Sequence, residues 1–285
     1  MLRYGVIGTG MMGIEHIMNV RSIDGAEVTA YADPHEQSRI GAATIVPEAT
    51  AFADHRDLLG SGLCDALVVA TPNHTHAEVL EDVLATNLHV LTEKPLATTI
   101  EDCRRIEALA ESRDAITWVG LEYRYMPPVA RLIAEVRAGT VGTPHTFAIR
   151  EHRFPFLPKV DDWNRFNANT GGTLVEKCCH FFDLMTHVLA ATPVRVMASG
   201  GQAVNHLDEA YDGRVPDILD HAYVVVEYDS GARALLDLNM FAEATQEQEE
   251  LAVVGDRGKV EALIPSDIVR IGRRGRHFIG GVETH

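Results

Sequence analysis

Positive charge is scarce in this chain. Against 41 acidic side chains there are 25 lysines and arginines, a formal net charge of −16. Nucleic acid and anionic membrane surfaces both select for basic patches, so neither is expected as a partner. Long apolar runs are missing as well: no stretch approaches the ~18 consecutive apolar residues of a membrane span. Cysteine is sparse, and Cys64, Cys103, Cys178 and Cys179 follow no disulfide spacing. That pattern fits reduced thiols in a cytoplasmic protein. The first strand starts almost at Met1, so no signal peptide is expected. No metal is expected. The 14 histidines show no pair of pairs at zinc spacing. Cys178, Cys179 and His180 are consecutive, and consecutive helical residues point about 100° apart, so they converge poorly on one ion. Repeats and low-complexity segments are also missing. What remains is an ordinary globular composition, 46% hydrophobic, in 285 residues. That length suffices for one large domain or two moderate ones.

The first informative stretch is Tyr4-Gly5-Val6-Ile7-Gly8, a short buried strand that runs into Gly8-Thr9-Gly10-Met11-Met12-Gly13. Ile14, Ile17, Met18 and Arg21 follow at helical spacing. This is strand, glycine turn, helix. Gly8 makes the tight turn, Gly10 lets the backbone approach a pyrophosphate, and Gly13 lets helix and strand pack closely. The helix N-terminus supplies free N–H groups for the phosphates. Glu27 to Asp33 reads as a second strand that ends in an acid. A carboxylate at that distance from the glycines bonds the adenosine ribose hydroxyls and repels a 2′-phosphate. NAD is therefore the expected cofactor, with NADP the alternative.

Further strands follow at Cys64–Pro72, ending in a turn, at His89–Pro95, ending in Glu-Lys-Pro, and at Ile116–Gly120, separated by helical patterns. Alternating strands and helices imply a parallel sheet covered on both faces. Ligands on such sheets sit beyond the carboxyl ends of the strands. Gly8 to Gly13, Asp33, Asn73, His76, Glu93 and Lys94 all fall at or just after such ends.

The stretch from Gly171-Gly172 through Thr173 to Ala190 reads as one helix, with Thr170 or Thr173 as N-cap. Glu176, His180, Asp183 and His187 recur on one stripe of it. The rest is apolar nearly all round, the mark of a buried helix. Taken alone, the stripe is either a solvated edge or a catalytic row. A carboxylate one turn before a histidine holds one imidazole nitrogen and leaves the other free to take a proton. Beyond this helix, strands are expected at 194–200, 222–228, 232–241, 250–255, 259–264 and 268–273, with hairpin turns at Asp229-Ser230-Gly231 and Gly255-Asp256-Arg257-Gly258. A broad half-apolar sheet face usually finds a partner.

Several motifs together resemble one family. They are Gly-Thr-Gly-Met-Met-Gly at 8–13, Ala-Asp-Pro at 32–34, Thr-Pro-Asn-His-Thr-His at 71–76, Glu-Lys-Pro-Leu-Ala at 93–97, and the Gly-Gly-x-Leu-x-Glu-x-x-x-His-x-x-Asp of 171–183. In this order they are similar to the Gfo/Idh/MocA oxidoreductases, the relatives of glucose-fructose oxidoreductase and inositol dehydrogenase. The resemblance implies an α/β Rossmann domain over 1–121 and an α+β domain over 122–285 built on an open, mainly antiparallel sheet. It implies a nicotinamide cofactor held by Gly8, Gly10, Met11, Met12, Gly13, Asp33, Thr71, Asn73, His76, Glu93 and Lys94. It implies a sugar, cyclitol or related polyol as substrate, touched by Lys94, Arg124, Tyr125, Trp163, Asn164, Arg165, Glu176 and His180. Lys94, Glu176 and His180 match the catalytic positions, with His180 the base. Glu176 stands where inositol dehydrogenases usually carry Asp, and Pro95 matches a proline often cis. Asp183 matches a second acid, a structural or substrate contact. Lys177 is expected at the surface or on a cofactor phosphate. A homodimer or homotetramer through the second domain's sheet is also implied. Family members usually continue further and close with a helix on the first domain, so either a truncated chain or a member without that helix is expected. The main functional expectation is reversible hydride transfer at a secondary hydroxyl. Its rivals are an enzyme that recycles bound NAD through transient oxidation, glycosidase-like or dehydratase-like, and a non-catalytic NAD- and sugar-binding regulator.

Overall fold

The computed structural model describes residues 1–275 and 280–285. The chain forms two compact units, Met1–Gly120 with Lys159–Glu176, and Leu121–Pro158 with Lys177–His285.

The first unit opens with β1 (Leu2–Ile7), α1 (Met11–Arg21), β2 (Ala26–Ala32), α2 (Glu36–Ile45), β3 (Thr50–Phe52) and α3 (His55–Gly60). It continues through β4 (Ala66–Val69), α4 (His76–Leu84), β5 (His89–Thr92), α5 (Ile100–Glu111) and β6 (Thr117–Val119). The six strands are all parallel, in the order β3-β2-β1-β4-β5-β6. The order reverses between β1 and β4, which opens a crevice at their carboxyl ends. Side chains alternate between sheet faces, and both faces are covered. Ile7, Leu67 and Val69 pack with Leu80, Val83 and Ile106 on one face. Val6, Val28, Tyr31 and Val68 pack with Ile17 and Val20 on the other.

The chain then enters the second unit as α6 (Pro127–Arg137) and β7 (Pro144–His152). It returns to the first unit over residues 159–176, which carry α7 (Asn167–Thr170) and α8 (Thr173–Glu176). This return adds residues 159–176 to the first unit, beyond the crossing at Gly120 and Leu121. Two long-range bonds account for it: Asn73 Nδ2 donates to the Thr170 carbonyl at 3.4 Å, and Lys94 Nζ donates to the Glu176 carbonyl at 3.0 Å.

The second unit is completed by α9 (Cys179–Leu189), β8 (Pro193–Gly201), β9 (His221–Tyr228), β10 (Arg233–Asn239), β11 (Glu249–Gly255), β12 (Gly258–Ile264), β13 (Ile268–Arg273) and β14 (Gly281–Thr284). Among the described residues its strands lie in the order β14-β13-β12-β11-β7-β10-β9-β8. All pairs are antiparallel except β7 with β10. One face is closed by α6 on β12 and β13 and by α9 on β7. Phe147, Ile149, Leu251, Val253 and Val260 from the strands meet Leu132, Phe181, Leu184 and Met185 from the helices in this core.

The stretch expected as a single helix is therefore two. Lys177 and Cys178 form a turn between α8 and α9, and α9 starts afresh with Phe181 and Phe182 N–H donating to the Cys178 carbonyl. Neither threonine caps a long helix: Thr170 Oγ1 instead accepts from Gly172 N at 2.9 Å. The stripe is cut at its first member. Glu176 closes α8 in the first unit, whereas His180, Asp183 and His187 lie on α9 in the second. Among the described residues no helix is long and apolar enough to cross a membrane.

Candidate active site

The glycine turn of the first unit is built as its spacing predicts. Gly8 has φ +88°, and a Cβ there would lie 2.6 Å from the Ala70 carbonyl oxygen. A Cβ on Gly13 would strike the Gly8 carbonyl, whereas one on Gly10 would meet nothing within 4 Å. Two glycines are thus needed for packing and the middle one faces open space. No side chain caps α1, so its first N–H groups, at Met11 and Met12, are left for an anion. Asp33 is fixed beside them. Its Oδ2 accepts from Thr9 N at 2.7 Å and its Oδ1 from His35 N at 2.8 Å. An open backbone cradle next to a pinned carboxylate fits a dinucleotide with free ribose hydroxyls.

The carboxyl ends of β4 and β5 carry the other candidates. Thr71 Oγ1 accepts from Thr75 Oγ1 at 2.9 Å. His76 is fully buried, and its ring nitrogens face the Pro95 carbonyl at 2.8 Å and the Thr71 carbonyl at 2.9 Å. It ties two strand-end loops together through these contacts. Burial pushes its imidazole down, against those two carbonyls. Glu93 Oε1 lies 2.6 Å from His16 Nε2, a partner on α1 that no sequence pattern pointed to. Burial raises the Glu93 carboxyl, but the His16 imidazole and the Lys94 charge outweigh it and hold it below its ordinary value. The Lys94–Pro95 bond is cis.

Around Lys94 and Glu176 the first unit adds one group that the sequence did not single out. Lys159 feels both Glu176 and Glu93 as attraction and Lys94 as repulsion, and burial lowers its amine. Trp163 lies beside His74, ring centroids 6.2 Å apart. Asn164 and Arg165 were expected as donors to substrate hydroxyls. Both are buried, with Arg165 Nη1 donating to Asn164 Oδ1 at 3.2 Å.

In the second unit His180 is 2% exposed. Its ring lies against that of Tyr123, centroids 4.6 Å apart and planes 32° apart. Its Nε2 is 3.4 Å from Glu122 Oε1. Arg124, expected on the substrate, forks onto Asp183 through Nε, at 2.6 Å, and Nη2. It ties the segment before α6 to α9. Tyr125 is exposed.

Lys177 is neither at the surface nor on a phosphate: it is 7% exposed and sits inside the second unit. Its Nζ lies 3.1 Å from Glu151 Oε1 and donates to the Tyr123 hydroxyl at 2.7 Å. The reason is across the sheet, where Glu151 and Glu249 face each other on the buried side of β7 and β11. Two buried carboxylates need a cation. Among the described residues no cluster of three or more His, Cys, Asp or Glu could hold a metal ion.

The chain was compared with known proteins. Residues 2–121 match the model of the Gfo/Idh/MocA oxidoreductase family's NAD-binding Rossmann fold, and residues 133–280 match its C-terminal alpha/beta domain. Inositol 2-dehydrogenase 1 of Saccharopolyspora erythraea is 30% identical, covering 95% of this chain and 77% of its own length. Myo-inositol 2-dehydrogenase of Thermotoga maritima is 29% identical over 92% of this chain and 75% of its own. The fold is shared with the myo-inositol dehydrogenase of Lactobacillus casei, crystallised with NAD(H) and myo-inositol. That likeness has a TM-score of 0.78 at 24% identity, over 92% of this chain and 74% of the other. With both of its units matched, the chain belongs to the Gfo/Idh/MocA family of NAD-binding oxidoreductases.

Proposed function

We propose that this chain is an NAD-dependent dehydrogenase that moves a hydride between the nicotinamide and a secondary hydroxyl of a cyclitol or sugar. The observation that carries this is the pairing, within the first unit, of an open glycine cradle with the Lys94 ammonium at the carboxyl end of β5. Names of relatives support the substrate class: two of them act as inositol 2-dehydrogenases.

The bound nicotinamide supplies the hydride acceptor. The chain's own residues do the rest. Gly8, Gly10, Gly13 and the N-terminus of α1 receive the pyrophosphate, and Asp33 receives the ribose. Thr71, Asn73 and Glu93 line the strand ends. His180 takes the proton of the hydroxyl as the alcohol is oxidised, and returns it in the reverse direction. Lys94 stabilises the negative charge that develops on that oxygen. Its ammonium is aimed by the Glu176 carbonyl, so Glu176 fixes the lysine through its backbone and adds a carboxylate to the same set.

The outer face of the second unit's sheet presents Met197, Tyr223, Leu235 and Val254, all exposed. A patch of that kind supports assembly into a homodimer or homotetramer through this face, testable by light scattering.

The test of the activity is the absorbance of reduced nicotinamide, with NAD and a panel of cyclitols and aldoses. Turnover with at least one polyol is expected, with more NADH formed from NAD than NADPH from NADP. Substrate consumed without NADH appearing overturns the dehydrogenase in favour of a redox-recycling enzyme. NAD binding with no consumption of any polyol favours a regulator.

A further inference from the structure

We propose that Tyr123 is a positioning residue: its ring carries the imidazole of His180, and Lys177 and Glu249 fix that ring by gripping its hydroxyl from two sides. The inference rests on His180 being the proton acceptor proposed above, and it assigns a role to the buried Lys177.

The hydroxyl of Tyr123 donates to Glu249 Oε1 at 2.6 Å and accepts from Lys177 Nζ at 2.7 Å. Donor and acceptor sites are both used, so the hydroxyl has one direction. Gln248 Nε2 donates to the same Glu249 oxygen at 2.6 Å and holds it in place. The ring is trapped as well. Phe181 meets it edge-on at 5.4 Å, and the Lys177 ammonium sits 4.9 Å from its centre. Against the ring lies His180, one helical step from Phe181, with Glu122 facing its Nε2. Ring contacts of this kind are favourable beyond the area they bury, and this one has an anchored platform on one side.

Charge compensation alone does not explain the cluster. Glu151 and Glu249 oppose each other directly across the β7–β11 ladder, an arrangement that costs stability. Each buried ion adds a desolvation penalty, and apolar residues of similar volume generally do better in such a core. Arg153, 3.5 Å from Glu151, completes the charges around the site. What this set supplies that apolar residues cannot is a tyrosine ring held in one orientation, through its hydroxyl, against a histidine. Burial raises the Tyr123 hydroxyl far above its ordinary range and lowers the Lys177 amine, so the tyrosine stays a neutral donor at every working pH.

The test is steady-state kinetics on the full chain, with NAD and myo-inositol or whichever polyol the panel reveals. His180→Asn is the reference variant. Tyr123→Phe keeps the platform and loses the grip; Tyr123→Leu loses both. We expect kcat to fall about threefold to tenfold in Tyr123→Phe and about 100-fold in Tyr123→Leu, the scale of a misplaced catalytic group. The KM for the polyol and the Kd for NAD should stay within about twofold, and the solvent deuterium isotope effect on kcat should grow as proton transfer becomes slower. Lys177→Met should match Tyr123→Phe, and the two together should cost no more than either, because they act through one bond. If Lys177→Met does not fold, the two tyrosine variants decide. Tyr123→Leu with kcat within twofold of the parent, or with its loss confined to KM, overturns the positioning role. Turnover unchanged in His180→Asn overturns instead the reading of His180 on which it rests.

Discussion

Lys94 donates from Nζ to the backbone carbonyl of Glu176 at 3.0 Å. The contact joins the end of β5 to the end of α8 and aims an ammonium by an oxygen that no side-chain substitution at position 176 removes. Lys94→Met should therefore cut kcat by about 100-fold or more, as loss of one charge-stabilising donor does. It should leave NAD affinity within about threefold, because the glycine cradle is untouched. Glu176→Gln should be milder than Lys94→Met, since the carbonyl remains. Equal losses in the two variants would show that the carboxylate, not the ammonium, carries the effect. Rate and NAD titration measured side by side check both.

Gly10 and Gly13, three residues apart, are expected to respond differently to the same methyl group. At Gly13 a Cβ collides with the Gly8 carbonyl. Gly13→Ala should destabilise the first unit by about 1–3 kcal/mol, read as a lower Tm without ligand. At Gly10 there is room, and φ is −70°. Gly10→Ala should keep its Tm and lose affinity for NAD, because the methyl occupies the space left for the pyrophosphate. A Gly10→Ala protein that binds NAD normally would mean that the phosphates lie elsewhere.

Asp33 uses each carboxylate oxygen on a backbone N–H, so its charge rather than its reach is expected to exclude a 2′-phosphate. Asp33→Asn preserves the size and removes the charge. The ratio of NADP to NAD affinity should rise about tenfold, equivalent to roughly 1.4 kcal/mol. The measurement is the Kd of each cofactor in parent and variant; an unchanged ratio would place discrimination outside this residue.

The first unit was legible in the sequence because its signals are local. A strand followed by glycines, then a helix, fixes the turn within a dozen residues, and strand ends fix where ligands go. The second unit's strands were legible for the same reason, through alternation and hairpin turns. What escaped was set by distance. Lys177 looked like a charged residue on a helix surface, yet its burial is decided by Glu151 and Glu249 on two strands of the far sheet. The break that separates Glu176 from His180 falls at this lysine, so helical periodicity alone joined two elements. The partner of Arg124, Asp183, is equally remote in sequence, so the spacing along the chain did not reveal their pairing. His76 shows the opposite case: the motif placed it correctly at a strand end, but its two ring nitrogens are spent on carbonyls that only the folded loops bring near.

The buried carboxylates also predict how stability depends on pH. Burial pushes Glu151 up to about 7, with Glu249 raising it further and Lys177 and Arg153 opposing. The Tyr123 hydroxyl, raised by burial, stays neutral over this range. The folded state therefore binds a proton at Glu151 that the unfolded chain, with an ordinary carboxyl near 4.5, has already released. In that window the native state holds more protons, so stability falls as pH rises. The contribution is fully present below the unfolded value and is lost by about pH 7, for a total of ~3 kcal/mol. Glu151→Gln cannot titrate and should remove this slope. Unfolding in urea at a series of pH values from 4 to 8 would show the variant gaining on the parent as pH rises, by up to that amount. Parallel curves for the two proteins would mean that Glu151 is ionised throughout, with Lys177 and Arg153 holding its charge against burial.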